Sequence, residues 1–355
     1  MSLWQIYAGT QDTIPQKEII YQVLKKILYF FLLLIALLVV GYLLGPRPDY
    51  PDMDYSIAPT KLRIDELEQY LAQKESTTKN LKPDNQSRIA WPDSTQTKTE
   101  YAIVYLHGFS ASPMESNPVH LDFAKKYGMN MILPRLAQHG IKDSTTFKTL
   151  TPKMLIDDAK EAIAMAQVLG EKVIIMSCST GSTLAIPLAA ENPDLVEGHI
   201  MFSPNFALVD RRASLLTKPW GLQIARYLLG SKHRKLNMPP ICHGYWTMKY
   251  RLEGTLVVQG LIDETIKTQY FEKIDDPIFV GYYYESEDKK DRVISIDAIK
   301  HFMGFVRTPT TQIQEEPFPT TKAHVLSSSL QSKDIEAVRQ KLDEFAVQIL
   351  KLVPQ

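Results

Sequence analysis

A chain of 355 residues can hold one large domain or two small ones. Its 40 basic and 40 acidic residues cancel, so no global field favours nucleic acid as a partner. Its two cysteines, Cys178 and Cys242, are too few for a disulfide framework or a zinc site with cysteine ligands.

From Ile27 to Leu44 no side chain is charged or strongly polar, a run of about eighteen residues that matches the length needed to cross a bilayer as a helix. Lys17, Lys25 and Lys26 precede it, and Asp49, Asp52 and Asp54 follow it. This asymmetry predicts an anchor at 27–44, a cytoplasmic segment at 1–26 and the remainder of the chain on the extracytoplasmic side. A cleaved signal peptide is the rival reading, but the run exceeds a typical h-region and no Ala-x-Ala-like site precedes Gly45-Pro46-Arg47-Pro48. A buried core helix would not carry this charge asymmetry.

Residues 45–98 read as a stem followed by a helix. Pro46, Pro48, Pro51 and Pro59 predict a stiff, extended stretch. Leu62, Leu67 and Leu71 give one apolar side to a helix from Lys61 to about Lys74; Thr77 to Asn85 reads as loop and Arg88 to Trp91 as an edge strand.

Within 99–355, apolar runs alternate with helical patterns. Strands are predicted at Tyr101 to Leu106, Met129 to Leu133, Lys172 to Met176, Gly198 to Phe202, Pro277 to Tyr284 and Thr310 to Gln314. Helices are predicted at Met114 to Tyr127, Lys153 to Leu169, Ser182 to Glu191, Asp297 to Phe302 and Lys333 to Leu352. This order implies an α/β fold, a mostly parallel sheet with helices on both faces, whose ligands meet the carboxyl ends of the strands.

One such end carries a nucleophile pattern. Val173-Ile174-Ile175-Met176 run into Ser177-Cys178-Ser179-Thr180-Gly181 and then into a helix, the shape of a serine held on a sharp strand-to-helix turn. Ser177 replaces the usual first glycine of Gly-x-Ser-x-Gly, and Gly181 keeps the second. Ser179 is the candidate nucleophile, and Cys178 is expected to pack beneath the turn. At the end of the first strong strand, His107-Gly108-Phe109 bends so that the Phe109 N–H could join the Thr180 N–H around an oxyanion. His107, before the glycine, reads as structural.

His107-Gly108-Phe109, the Ser179 turn, and a later Asp then His resemble an alpha/beta-hydrolase, nearest to the carboxylesterase and monoacylglycerol-lipase-like group, over about residues 99 to 352. The resemblance implies an eight-stranded sheet or a shortened form of it, a Ser, acid, His triad, and ester hydrolysis through an acyl-enzyme. For the acid, Asp291 follows the strand ending at Tyr284 and opens Asp291-Arg292-Val293-Ile294-Ser295, which resembles the family's acid loop. Asp288 is the neighbouring alternative. Asp263 is read as a solvated helix residue, because Leu256, Val257, Leu261, Ile262 and Ile266 fit helical spacing. The base is His324, in a loop before the closing helix; His301 lies within a helix, and His139 in Gln138-His139-Gly140 reads as structural. No metal or organic cofactor is called for. A small-molecule or lipid ester is the expected substrate.

Residues 207–251 break the strand-helix order where this family carries a lid. Leu215, Leu216, Trp220, Ile224, Tyr227, Leu228, Leu229, Tyr245, Trp246 and Met248 are candidates to line an acyl pocket or to pack the lid onto the sheet. Nine lysines and arginines stand against Asp210 there, which predicts a basic surface, either a solvated face or one drawn to anionic head groups or esters. A non-catalytic membrane-tethered binding protein is the alternative from another class; a peptidase, amidase or acyltransferase is the nearer one.

Overall fold

The structure is a computed structural model that describes residues 16–50 and 52–355. It divides into two units, 1–47 and 48–355. In the first unit, α1 (Gln16–Leu43) has every side chain exposed and is long and apolar enough, by length and composition, to cross a membrane. Its 28 residues begin well before the apolar run predicted at 27–44. The first fifteen residues of the predicted cytoplasmic segment, and Pro51, lie outside the described residues.

The second unit is built in chain order from α2 (Leu67–Ser76), β1 (Arg88–Ala90), β2 (Thr99–Leu106), α3 (Val119–Lys126), β3 (Asn130–Leu133), α4 (Pro152–Leu169), β4 (Gly170–Cys178), α5 (Thr180–Ala190) and β5 (Gly198–Phe202). There follow α6 (Gly221–Leu229), β6 (His233–Lys235), β7 (Lys249–Arg251), α7 (Glu253–Thr265) and α8 (Thr268–Phe271). The chain closes through β8 (Ile278–Tyr282), β9 (Tyr284–Ser286), β10 (Lys289–Lys290), α9 (Ile296–Met303), β11 (Ile313–Pro317) and α10 (Ile335–Gln348).

Among the described residues seven strands form one sheet in the order β1-β3-β2-β4-β5-β8-β11. All neighbours are parallel except β1, which pairs antiparallel with β3 at the edge. The inner strands are apolar without interruption because both faces are covered. Ala102, Val104 and Leu106 of β2, with Val173 and Ile175 of β4, pack into one core; Ile103 and Tyr105, with Ile174, Met176 and Cys178, pack into the other. The period of two thus sorts each strand onto two faces.

The stem is not a free spacer. Tyr50 donates its hydroxyl to the Leu256 carbonyl at 3.2 Å, Tyr55 is buried beside Tyr270, and Asn192 bonds the chain at Ile57 N and Tyr55 O. A Cβ on Gly260 would stand 2.2 Å from Tyr50 Cε2, so the missing side chain leaves the space that the Tyr50 ring fills.

Several predicted bounds shift for local reasons. The helix expected at Lys61 to Lys74 is a 3-10 turn at Ile64–Glu66 and then α2, because Arg63 is extended and its N–H is taken by Glu66 Oε2 at 2.8 Å. The helix expected at Met114 to Tyr127 is only α3; Pro113 and Pro118 have no N–H to offer a helical ladder, and the chain turns between them. The last strand moves from Thr310 to Gln314 to β11, behind a 3-10 turn at Thr310–Gln312 that follows Pro309. The run from Pro277 splits at Tyr283 into β8 of the main sheet and β9 of a small hairpin with β10. The closing helix is Ile335–Gln348, started by Asp334, whose carboxylate accepts the Ala337 N–H at 3.1 Å.

Candidate active site

Ser179 sits where β4 hands over to α5, with φ 51° and ψ −116°. A serine in this sparsely populated region costs of order 1–3 kcal/mol, so the surroundings must hold it there. They do: Ser179 N donates to Phe202 O at 3.0 Å, while Ser179 O accepts from Ser182 N at 3.0 Å and Asn205 N at 3.1 Å. A Cβ on Gly181 would stand 1.9 Å from Leu106 O, which explains why the second glycine is kept. The serine that replaces the first glycine fits because Ser177 Oγ finds Ser182 Oγ at 2.9 Å. Cys178 is fully buried beneath the turn, and burial pushes its thiol well up, so it is no rival nucleophile.

Asp291 and His324 meet. The Nδ1 of His324 lies 2.7 Å from Asp291 Oδ2, and Asp291 Oδ1 accepts the N–H groups of Val293 at 2.8 Å and Ile294 at 3.3 Å. The Asp291 side chain is fully buried and that of His324 is 19% exposed. Burial raises the carboxyl of Asp291, but the His324 charge and the three hydrogen bonds outweigh it, so the group is held low. Burial lowers His324, yet Asp291, and more weakly Glu115, carry it above the ordinary histidine value.

The His324 loop is fastened to the nucleophile's neighbourhood. Ser203 Oγ donates to the His324 carbonyl at 2.6 Å, and Ser203 directly follows Phe202, whose carbonyl holds the Ser179 N–H. Gly108 also abuts the nucleophile, since a Cβ there would stand 3.3 Å from Ser179 Cβ. Among the described residues the N–H groups of Phe109 and Thr180 have no hydrogen-bond partner. The Phe109 ring is fixed against Phe147, His139 and Tyr250, with centroids 4.6, 5.4 and 5.3 Å away.

The competing residues lie elsewhere. His107 bonds Gly108 O through Nδ1 at 2.9 Å and accepts the Leu136 N–H at Nε2 at 3.2 Å; burial lowers it to about 4, so it is a neutral structural group. His139 is likewise buried, with Nδ1 at the Ala137 carbonyl. His301 packs on Phe305 and Phe271 along α9. Asp263 is exposed on α7 and bonded to Gln259 and Thr217, and Asp288 is exposed in the β9–β10 turn. Glu115, a buried carboxyl beside Gly108, lies in a segment whose pattern predicts a helix; Pro113 and Pro118 around it are the sequence signal for the turn that buries it.

In the inserted segment Leu216 and Trp246 are buried and Tyr245 and Met248 partly so, whereas Leu215, Trp220, Ile224, Tyr227, Leu228 and Leu229 are exposed and do not pack on the sheet. Its basic surface is also smaller than the count of charges suggests. Arg212 pairs with Asp210, and Arg226 and Arg251 both pair with Glu253, which lies just beyond the segment.

No protein-family model matches the sequence, and a search of curated proteins finds no match. Solved structures do match by shape. One is from the metagenome-derived lipolytic enzymes LipS and LipT, with a TM-score of 0.60 and 13% identity over 75% of this chain and 98% of that one. Another is a soluble variant of monoglyceride lipase from Saccharomyces cerevisiae, solved with a substrate analogue, with a TM-score of 0.55 and 10% identity over 76% of this chain and 92% of that one. The chain therefore has the alpha/beta-hydrolase fold, with seven strands among the described residues in its main sheet, the shortened form of the expected sheet.

Proposed function

We propose that the protein is a serine hydrolase of carboxylic esters, with Ser179 as nucleophile, His324 as general base and Asp291 as the acid that orients it. The observation that carries this reading is the strained Ser179 turn at the same strand ends as a buried 2.7 Å Asp291–His324 pair. A serine hydroxyl is a weak nucleophile at neutral pH. His324 takes its proton as Ser179 attacks the carbonyl and returns it to the leaving alcohol; water then repeats the sequence on the acyl-enzyme. Asp291 stabilises the imidazolium. The Phe109 and Thr180 N–H groups receive the oxyanion, each worth roughly 2.7–4 kcal/mol where such donors have been removed. Esters are favoured over other acyl bonds by the lipolytic and monoglyceride lipase neighbours.

The same reading makes α1 a single-pass anchor, with the N-terminus cytoplasmic and the hydrolase domain on the extracytoplasmic side, on the strength of its apolar length and the flanking lysines. Turnover of p-nitrophenyl esters beside anilide analogues by the detergent-extracted full chain tests the substrate class. Ester cleavage lost in Ser179→Ala is the expected result, and anilide cleavage alone would replace the esterase with an amidase. Intact mass of the membrane-extracted protein tests the anchor, since a cleaved leader would remove α1.

A further inference from the structure

The triad leaves one buried carboxyl at this end of the sheet without a role. Glu115 lies on the turn between β2 and α3, is 2% exposed, and has no lysine or arginine among its partners. Its Oε2 accepts the Gly108 N–H at 2.6 Å and the Tyr105 hydroxyl at 3.2 Å. A Cβ on Gly108 would stand 2.8 Å from Glu115 Oε1 and 3.3 Å from Ser179 Cβ, so carboxyl and nucleophile crowd the same glycine. The Cys178 thiol, one residue before the nucleophile, faces the carboxyl, and the His324 charge acts on it. Hydroxyls complete the connection: Tyr105 to Ser116 at 2.6 Å, and Ser116 to Ser327, three residues after His324, at 2.7 Å.

We propose that Glu115 is a positioning residue of the catalytic centre: it pins the Gly108 peptide so that the next N–H, that of Phe109, points at the oxyanion, and it lends its charge to the His324 imidazolium. This rests on the serine-hydrolase reading. Asp291 holds Nδ1 of the imidazole, and Glu115 acts through space and through the peptide that carries the oxyanion donor. A carboxyl buried without a cation destabilises the fold when ionised. Burial accordingly pushes Glu115 up to about 7. The groups that face it are Tyr105 from β2, Cys178 from the end of β4, and His324 from the loop after β11. Burial pushes Tyr105 and Cys178 well up, so both stay neutral here and His324 is the partner whose charge changes near neutrality.

The full-length protein and Glu115→Gln are compared by the rate of fluorophosphonate labelling across the neutral pH range, by kcat and KM with p-nitrophenyl butyrate, and by thermal unfolding. Glutamine can still accept the Gly108 N–H but carries no charge. The variant is expected to lose about tenfold in kcat with KM little changed. The rising limb of its labelling profile moves to lower pH, because His324 loses an anion that favoured its protonated form. Above pH about 7 its Tm is not lowered, since the wild type then buries a charge that the variant lacks. A merely structural residue would lower Tm and leave the profile in place, and that result, or an unchanged kcat and profile, overturns the proposal. Should Glu115→Gln fail to fold, Tyr105→Phe removes one donor to the carboxylate, raises Glu115 further, and must move the profile the same way by a smaller amount; an unmoved profile again overturns it. If the wild type neither labels nor turns over ester, the serine-hydrolase reading falls and takes this proposal with it. If the wild type labels and the Gln variant matches it, only this proposal falls.

Discussion

At the carboxyl end of the sheet, Ser110, Ser179 and Ser203 hold φ angles of 66°, 51° and 44°, conformations that serine seldom adopts, yet all three are buried and their neighbours are hydrogen-bonded. At the start of α6 in the inserted segment a left-handed residue also occurs, Trp220 at φ 64°, but it is 40% exposed, and Tyr227 and Leu228 are 86% and 76% exposed. The strained region lies directly on the two cores, so packing over-determines each unusual turn. Within the inserted segment, α6 has little apolar contact to lose, whereas Leu216, Trp246 and Tyr250 around it are buried. Chemistry is expected in the first region because only there is geometry held firmly enough to aim a hydroxyl, an imidazole and two N–H groups at one carbonyl.

Substitutions should separate the two regions by size of effect. Asp291→Asn is the largest: it keeps the shape of the side chain but loses the charge beside His324, and kcat for ester hydrolysis should fall by about 10⁴, as for the equivalent change in a serine protease triad. The residual activity should also rise at lower pH than the wild type's. Its base must be neutral to act, and in the wild type Asp291 holds His324 above the ordinary value of about 6.5, so the wild-type kcat/KM profile should reach half-maximum above that pH. Next comes Phe302→Ala, which empties a fully buried site beside Phe206 and Phe271 beneath the acid loop. It should cost about 3–5 kcal/mol of stability by denaturant unfolding. Gly181→Ala should cost about 1–3 kcal/mol or more, because its methyl group meets the Leu106 carbonyl. Leu228→Ser is the smallest and should stay within about 0.5 kcal/mol. A large loss there would show that α6 is packed in solution and would break the contrast.

How far the sequence revealed this follows from the same contrast. The inner strands were legible because burial on both faces demands unbroken apolar runs, and Gly198 to Phe202 was placed to the residue. Strand-end position and the family resemblance point to Ser179, Asp291 and His324 as candidates, and the structure pairs the last two. Glu115 was not legible, because an acidic residue near a helical pattern reads as a solvated first turn; its burial depends on contacts with Gly108 and Tyr105, which adjoin it only after folding. That the apolar residues of α6 do not pack on the sheet was hidden for the complementary reason. Hydrophobicity reports a preference for burial, and burial needs a partner surface that local sequence does not describe. The neutralisation of Arg226 and Arg251 by Glu253 is likewise a tertiary fact.

The central claim is that Ser179 is an activated nucleophile served by His324. Intact mass after treatment with a fluorophosphonate tests it most directly, run on wild type, Ser179→Ala and His324→Ala side by side. A single adduct on the wild type, mapped to Ser179, none on the first variant and a greatly slowed one on the second is the predicted result. Adduct on another residue, or undiminished labelling without His324, would contradict it.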